Sequence, residues 1–340
     1  MPTIHEVAAR AGVSTATVSR VLSNPEIVAL TTRRRVLKAI EEMGYSPNAS
    51  AKSLRTFTTR KLLVTVPDIS NPFFSLIIQG IEQAALREDY AVVLGDTRHG
   101  AQHAERYSQM LLRREVDGLI FLGHTMSSSI KELLRRKGGH APVVNGCEYS
   151  PGLGVSSAHV DNAAAAKQAM GHLFSLGHRR IGIITGPLAS PLSRDRLRGV
   201  QAAARAHGAR RQIIVAHGDF SIESGIAATA RLLADERAPT AIFCFNDEMA
   251  IGVLDYARRV GKSVPAALSV VGFDDIRFAR YIHPALTTIS QPMLDMGRET
   301  VRLLMDTLHG KITKPVSVTL PHKLEVREST GAPPRSDRGH

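Results

Sequence analysis

Thr3-Ile4-His5-Glu6-Val7-Ala8-Ala9-Arg10-Ala11-Gly12-Val13-Ser14-Thr15-Ala16-Thr17-Val18-Ser19-Arg20-Val21-Leu22 reads as two short helices joined by a tight turn, and this stretch decides the fold of the amino-terminal end. Thr3-x-x-Glu6 has the form of a capping box: the Thr3 hydroxyl takes an amide proton of the first turn while Glu6 reaches back, so a helix begins at about Ile4. Its apolar positions Ile4, Val7, Ala8 and Ala11 share one face, and Gly12 supplies the backbone freedom for a turn. Ser14 caps a second helix, Thr15 to Leu22, with Val18, Val21 and Leu22 inward and Thr15, Ala16, Thr17, Ser19 and Arg20 outward. A third helix, roughly Thr32 to Met43, offers Val36, Leu37, Ile40 and Met43 to the same small core and stops at Gly44. The expected product is an all-α helix-turn-helix domain over residues 1–45.

Outward from this stretch the charge is strongly positive. Residues 1–61 hold ten Lys or Arg against four acids, so +6 of the whole chain's +12 falls on its first sixth. A compact basic module is the electrostatic footprint of a polyanion partner. The full length of 340 residues allows two or three domains. No stretch approaches the ~18 uninterrupted apolar residues of a membrane span, so no membrane contact is expected. The opening Met1-Pro2-Thr3-Ile4-His5-Glu6 has no basic flank leading into an apolar run, which disfavours secretion. Two distant cysteines, Cys147 and Cys244, argue against a disulfide framework or a four-ligand zinc site and fit a reducing cytoplasm.

The residues Ile4 to Ala8 and Val13 to Leu22, with Thr32-Arg33-Arg34-Arg35-Val36, Gly44-Tyr45-Ser46-Pro47-Asn48-Ala49 and Ala51-Lys52-Ser53-Leu54-Arg55, resemble the lactose/galactose repressor (LacI) family. The resemblance runs along the chain to about Thr330. Within the family, Val66-Pro67-Asp68-Ile69-Ser70-Asn71-Pro72-Phe73-Phe74 and Gly186-Pro187-Leu188 are similar to the cytidine-repressor branch. It implies a DNA-binding transcriptional regulator with a double-stranded DNA operator as partner. A helix in the major groove reads base edges with short hydroxyls, methyl groups and a long bidentate donor, which Thr15, Ala16, Thr17 and Arg20 supply, Arg20 for a guanine. Ser14, Ser19 and Tyr45 would hold phosphates, with Thr3 and Ser46 also on the DNA side; Ser14 and Thr3 double as helix caps.

Residues 46–60 read as a hinge helix and linker. Asn48 to Leu54 is long enough for about two helical turns and too short to be stable alone in water, so it is expected to order on binding. In the family this helix pairs with its dimer mate in the minor groove. There Leu54 would be the wedge between base steps, followed by the basic Arg55.

From Lys61 short apolar runs alternate with longer amphipathic ones, the pattern of parallel sheets covered by helices. Eight strands are expected, at 62–66, 90–94, 118–122, 143–144, 180–185, 213–215, 241–245 and 268–273. Eight helices lie between and after them, at 73–88, 102–114, 128–137, 163–176, 194–206, 221–235, 249–260 and 293–308. They divide near Asp161 into two doubly wound parallel-sheet subdomains, the periplasmic-binding-protein architecture that the resemblance implies for an α/β effector-binding core over 61–330. One subdomain takes about 61–161 and 292–321, the other about 162–291 and 322–330, with crossings near Asp161, Gln291 and Pro321. Polar, Pro/Gly-rich residues 331–340 read as a disordered tail.

In open α/β sheets ligands sit beyond the carboxyl ends of strands. Those ends are 68–74, 145–148, 190–196, Phe220, 246–247 and 274–275. The resemblance makes Phe73 and Phe74 walls for a ring or sugar face, Arg196 and Asp274 holders of hydroxyls, Asn246 a bidentate amide and Phe220 a second stacking face. Asn145, Ser190 and Leu192 complete the candidate effector set. Each has a plainer reading: Phe73 and Phe74 as core, Asp247 and Asp275 as caps or turns. Ser190 and Leu192 stand where the purine-base branch carries other residue types, which disfavours a purine base.

Enzyme signatures are missing from the sequence: no G-x-x-x-x-G-K-[ST] loop, no G-x-G-x-x-G after a strand, no G-x-S-x-G elbow. His99 and His103 lack the glutamate and third ligand of a zinc hydrolase. No cofactor and no enzyme activity are expected. A ligand-responsive transcription factor and a solute-binding protein for transport remain, and the basic helix-turn-helix favours the first. Two-fold operators match homodimers, and a leucine-heptad extension for tetramers is lacking. The expected effector is a nucleoside, with a sugar or sugar acid as the alternative, acting by cleft closure that resets the hinges.

Overall fold

A computed structural model describes residues 2–46, 58–98, 101–136, 141–149, 152–234 and 238–334. The hinge segment with Leu54 and Arg55, and His99, lie outside the described residues. Two compact units emerge, Met1–Thr59 and Arg60–His340.

In the first unit, local chemistry sets the ends of α1 (Ile4–Ala11) and α2 (Thr15–Ser23). Both halves of the Thr3/Glu6 capping box form, and Gly12 adopts a left-handed φ of 63° to close α1. The Ser14 hydroxyl accepts from Thr17 N at 3.2 Å. With α3 (Leu30–Met43), these helices bury Val7, Ala8, Ala11, Val18, Val21, Val36 and Ala39. Two expected core residues are not there: Leu22 and Leu37 are 36% and 45% exposed. Leu22 lies on the inward side but in the last turn of α2, and Leu37 stands about 100° round α3 from Val36, off the stripe of Val36 and Ala39.

The second unit contains two six-stranded sheets. The first is ordered β11-β5-β4-β3-β1-β2, with β1 (Lys61–Val66), β2 (Ala91–Asp96), β3 (Gly118–Phe121), β4 (Val143–Gly146), β5 (Ser156–Val160) and β11 (Ser317–Leu320), all parallel. The second is ordered β12-β10-β9-β8-β6-β7, with β6 (Ile181–Thr185), β7 (Ile213–His217), β8 (Ala241–Cys244), β9 (Ser269–Asp274), β10 (Thr287–Ser290) and β12 (Lys323–Glu325). Only the edge strand β12 runs antiparallel there. Helices α4 (Pro72–Arg87), α5 (Ala101–Leu112) and α6 (Ser128–Arg136) serve the first sheet. Helices α7 (Asn162–Ser175), α8 (Pro191–Ala206), α9 (Ile222–Leu233) and α10 (Asp247–Arg259) serve the second.

The last helix, α11 (Met293–Leu308), follows a strand of the second sheet yet packs on α4 and on β3, β4 and β5 of the first. A β-carbon on Gly80 would stand 2.2 Å from Leu294 O, and one on Gly297 2.2 Å from Ile77 O, so glycine on both helices permits their close approach. The chain thus passes between the two halves after β5, after β10 and between β11 and β12.

Four strands, β5, β10, β11 and β12, exceed the eight that apolar runs suggested. β5 reads Ser-Ser-Ala-His-Val and β10 Thr-Thr-Ile-Ser, polar sequences that are nevertheless buried because neighbours satisfy their hydroxyls. Ser156 Oγ accepts from Val316 N, and Thr288 Oγ1 donates to Asp247 at 2.6 Å. The segment expected to be disordered from Gly331 is instead anchored at its start. Gly331 O lies 2.9 Å from His178 Nε2, and Gly331 N donates to Ser269 Oγ. A buried histidine and serine need partners, and the Gly331 backbone supplies them.

Candidate functional site

On the first unit the candidate DNA contacts form an exposed or half-exposed set. Ala16 and Arg20 stand exposed on α2, with Thr15, Thr17 and Ser19 half-buried beside them. Thr17 Oγ1 lies 3.0 Å from Ser14 Oγ, the oxygen that accepts from Thr17 N and caps the helix. Thr3 is committed to its capping box, Tyr45 packs against the small core, and Ser46 is exposed. Arg33 and Arg10 pair with Glu26 and Glu42 at 3.2 and 3.0 Å in solvent-accessible ion pairs.

In the second unit the strand ends gather around Arg196, which is 3% exposed. It projects from α8. Nε donates to Asn162 Oδ1 at 2.8 Å, Nη1 bonds the Phe245 carbonyl, and Nη2 lies 3.8 Å from Asp274 Oδ1. The guanidinium sits 3.6 Å above the centre of the Phe273 ring, a cation–π contact strengthened by desolvation. Asp274 ends β9 with a left-handed φ of 116°, and its Oδ1 accepts from Gln291 Nε2 at 2.8 Å.

Burial raises the Asp274 carboxyl to about 7, with the Arg196 charge and the Gln291 hydrogen bond opposing that rise. Burial likewise lowers Arg196 to about 10 against the attraction of Asp274. Desolvation is the larger influence on both partners, so charging the pair inside the protein carries a cost. Burial, followed by the nearby Asp274 carboxylate, pushes Asp247 up as well.

Glu148, beyond β4, was within a strand-end stretch but outside the expected effector set. It is 5% exposed, accepts from Ser190 Oγ at 3.3 Å and lies 3.7 Å from His124 Nδ1. Ser190 starts α8 in the other half, so this bond joins the two halves, and the Glu148 charge also acts on Arg196. Cys147 beside it is buried, and burial drives its thiol pKa up, which makes it a poor nucleophile. Asn162, Ser193 and Gln291 were missed too. Their signal was position: Asn162 and Gln291 flank the crossings, and Ser193 lies within the first turn of α8.

Other expected residues have committed partners. Phe73 and Phe74 are core, packed edge-to-face with centroids 5.2 Å apart. Asn246 caps α10: Oδ1 accepts from Met249 N at 3.0 Å and Nδ2 donates to Phe220 O at 2.8 Å, so its amide fork is occupied. The Phe220 ring covers Gly186, where a β-carbon would stand 2.1 Å from it. Asn145 donates Nδ2 to the Phe121 and Gly123 carbonyls, and Leu192 is half-buried at the start of α8. Asp247 is no cap; it accepts from Ile276 N at 2.9 Å and from Thr288, while Asp275 pairs with Arg327 at 2.6 Å.

A helix-turn-helix unit followed by two mostly parallel sheets with a buried polar cluster at their strand ends defines a ligand-responsive, DNA-binding transcriptional regulator. The chain belongs to the LacI family: residues 3–48 match the bacterial regulatory proteins of the lacI family, and residues 170–330 match the periplasmic binding protein-like domain. It is 41% identical over 335 residues to the HTH-type transcriptional repressor CytR of Escherichia coli (strain K12), covering 98% of this chain and 97% of that protein. The lac repressor dimer bound to operator and the anti-inducer ONPF superposes with a TM-score of 0.87 at 29% identity, covering 97% of this chain and 99% of that one. The transcriptional regulator CelR in complex with cellobiose gives a TM-score of 0.72 at 33% identity, covering 97% and 100%. Among the described residues, no helix is long and apolar enough to cross a membrane.

Proposed function

We propose that this regulator represses transcription from the cytoplasm as a homodimer on a palindromic operator, and that a nucleoside held at Arg196 and Asp274 sets its operator affinity. In this reading residues 1–45 bind DNA and 46–60 form the hinge. Residues 61–330 hold the effector. Arg20, Thr15, Ala16 and Thr17 read base edges, while Thr3, Ser14, Ser19, Tyr45 and Ser46 lie along the backbone. Leu54 and Arg55 enter the minor groove.

One observation carries the effector half: Asn145 Oδ1, Glu148 Oε2 and Ser193 Oγ are buried without a hydrogen-bond partner. Each orphan costs about 1–3 kcal/mol, a penalty that a ligand removes by supplying the missing bonds. Two acceptors, on and just beyond β4, and a hydroxyl in the first turn of α8 ask for a ligand rich in donors, and Arg196 answers its acceptors. Ribose hydroxyls and the exocyclic amine of cytosine meet both demands. The likeness to CytR supports the nucleoside; a sugar is the second reading, supported by the likeness to CelR with cellobiose and by the same demand for donors.

A thermal-shift screen of the full chain against nucleosides, nucleobases, pentoses, hexoses and sugar acids tests the effector. A ligand at ~100 times its Kd adds about 2.7 kcal/mol of stability. A nucleoside hit abolished by Arg196→Met supports the reading, and a response to sugars alone overturns the nucleoside. Sedimentation with operator DNA tests the dimer.

A further inference from the structure

Arg196 and Asp274 are bonded to more than each other. On one side, Arg196 Nε donates to Asn162 Oδ1 at 2.8 Å, and the same amide donates through Nδ2 to Val160 O at 3.3 Å. Val160 is the last residue of β5 in the first sheet, and Asn162 begins α7 in the second half. On the other side, Gln291 Nε2 donates to Asp274 Oδ1 at 2.8 Å, and its backbone N donates to Asp274 O at 3.4 Å. Gln291 O accepts from Met293 N at 2.9 Å, the first residue of the helix that covers the first sheet. All four side-chain-bearing residues are 5% exposed or less. An unbroken polar line therefore runs from β5 through Asn162, Arg196, Asp274 and Gln291 to α11. Both of its ends are in the half that does not carry the pair.

We propose that Asn162 and Gln291 are positioning residues that convert occupancy of the Arg196–Asp274 pair into movement of two crossings between the halves. The inference rests on the effector reading above and deepens it. Asp274 Oδ1 already serves Gln291 and faces Arg196, so a ligand hydroxyl donating to that oxygen competes with Gln291 for it. A ligand acceptor that draws the guanidinium loads Asn162 in the same way. Competition for a shared acceptor gives a ligand different binding energy in the two settings of the crossings, which is what a population shift requires. Closure without this line would leave the ligand bound and the crossings indifferent.

The test uses the full chain with a palindrome selected by the protein from randomised DNA, and cytidine as the probe. Asn162→Ala and Gln291→Ala should still bind cytidine, at an affinity measured for each variant and used to saturate it. The factor by which cytidine changes operator affinity, about 5–150 for allosteric couplings in general, should fall to near unity. Gln291→Glu bonds Asp274 only while one of the two carboxyls is protonated, so from pH 5.5 to 8 its coupling should fall further than the parent's measured at the same pH; a structural role alone would not give that divergence. Undiminished coupling in both alanine variants overturns the proposal. If cytidine fails to bind the parent, the nucleoside reading falls, and the line is judged by ligand-free operator affinities. A double variant no worse than the stronger single one supports the line, and effects that multiply overturn it.

Discussion

The two units place their candidate contacts in opposite environments. On the first, Ala16 and Arg20 stand in solvent on a helix whose stability is supplied by residues on its other face. In the second, Arg196 and Asp274 are 3% and 5% exposed and are part of the packing itself. Recognition and folding are thus separable in the first unit and inseparable in the second, and substitutions should sort accordingly.

The largest effect belongs to Arg196→Ala. It removes a buried guanidinium with its bonds to Asn162 and the Phe245 carbonyl and leaves a cavity, and urea denaturation should show a loss of about 3–5 kcal/mol. A loss below about 1 kcal/mol would mean that the pair is solvated, and the contrast between the units would collapse. Next comes a pH dependence. Asp274 is raised to about 7 from 3.8, so folding favours its protonated form. Its contribution to stability is full below about pH 4 and is lost as pH rises through 7, with a slope of at most about 1.4 kcal/mol per pH unit. Between pH 5 and 8, Asp274→Asn should therefore gain on the parent in denaturation midpoints, and a pH-independent difference would count against a desolvated carboxyl.

The first unit should answer differently. Arg20→Ala should weaken operator binding by about 1–3 kcal/mol and relax one base position, with the thermal midpoint unmoved. A midpoint that falls with affinity would show that recognition and folding are not separable there. The smallest expected effect is that of Ser14→Ala, about 1 kcal/mol of stability through the lost cap. Comparing it with Ser14→Gly, which keeps most of the capping benefit, separates the hydroxyl's role in the helix from any role at a phosphate.

The same contrast governs what could be read from sequence. Capping boxes, glycine stops and helical stripes are local, so the ends of α1 and α2 and all eight helices of the core were legible within a few residues. The DNA-facing set followed from the helix periodicity and the family resemblance. Strands β5 and β10 escaped because Ser, Thr and His look solvent-facing until a neighbouring strand satisfies them. The effector cluster escaped in part for a similar reason. Arg196 and Asp274 came from resemblance, but Asn162, Glu148 and Gln291 earn their places through bonds across 34, 42 and 17 residues of chain. Asn246 shows the converse: a residue type suited to a ligand, placed where a helix start claims both ends of its amide.

The interleaving of the two sheets has a consequence for how the protein is made. The first sheet begins at Lys61 but lacks α11 and its edge strand β11 until Leu320 has been synthesised, and the second waits for β12 and for Gly331 to reach His178. A ribosome delivers the helix-turn-helix unit first, at roughly 5–20 residues per second, while both halves of the core stay incomplete for more than two hundred further residues. A nascent or carboxyl-terminally clipped chain would then present a basic DNA-reading head with no finished receiver for its signal. Completion of the last few dozen residues is what places DNA binding under ligand control.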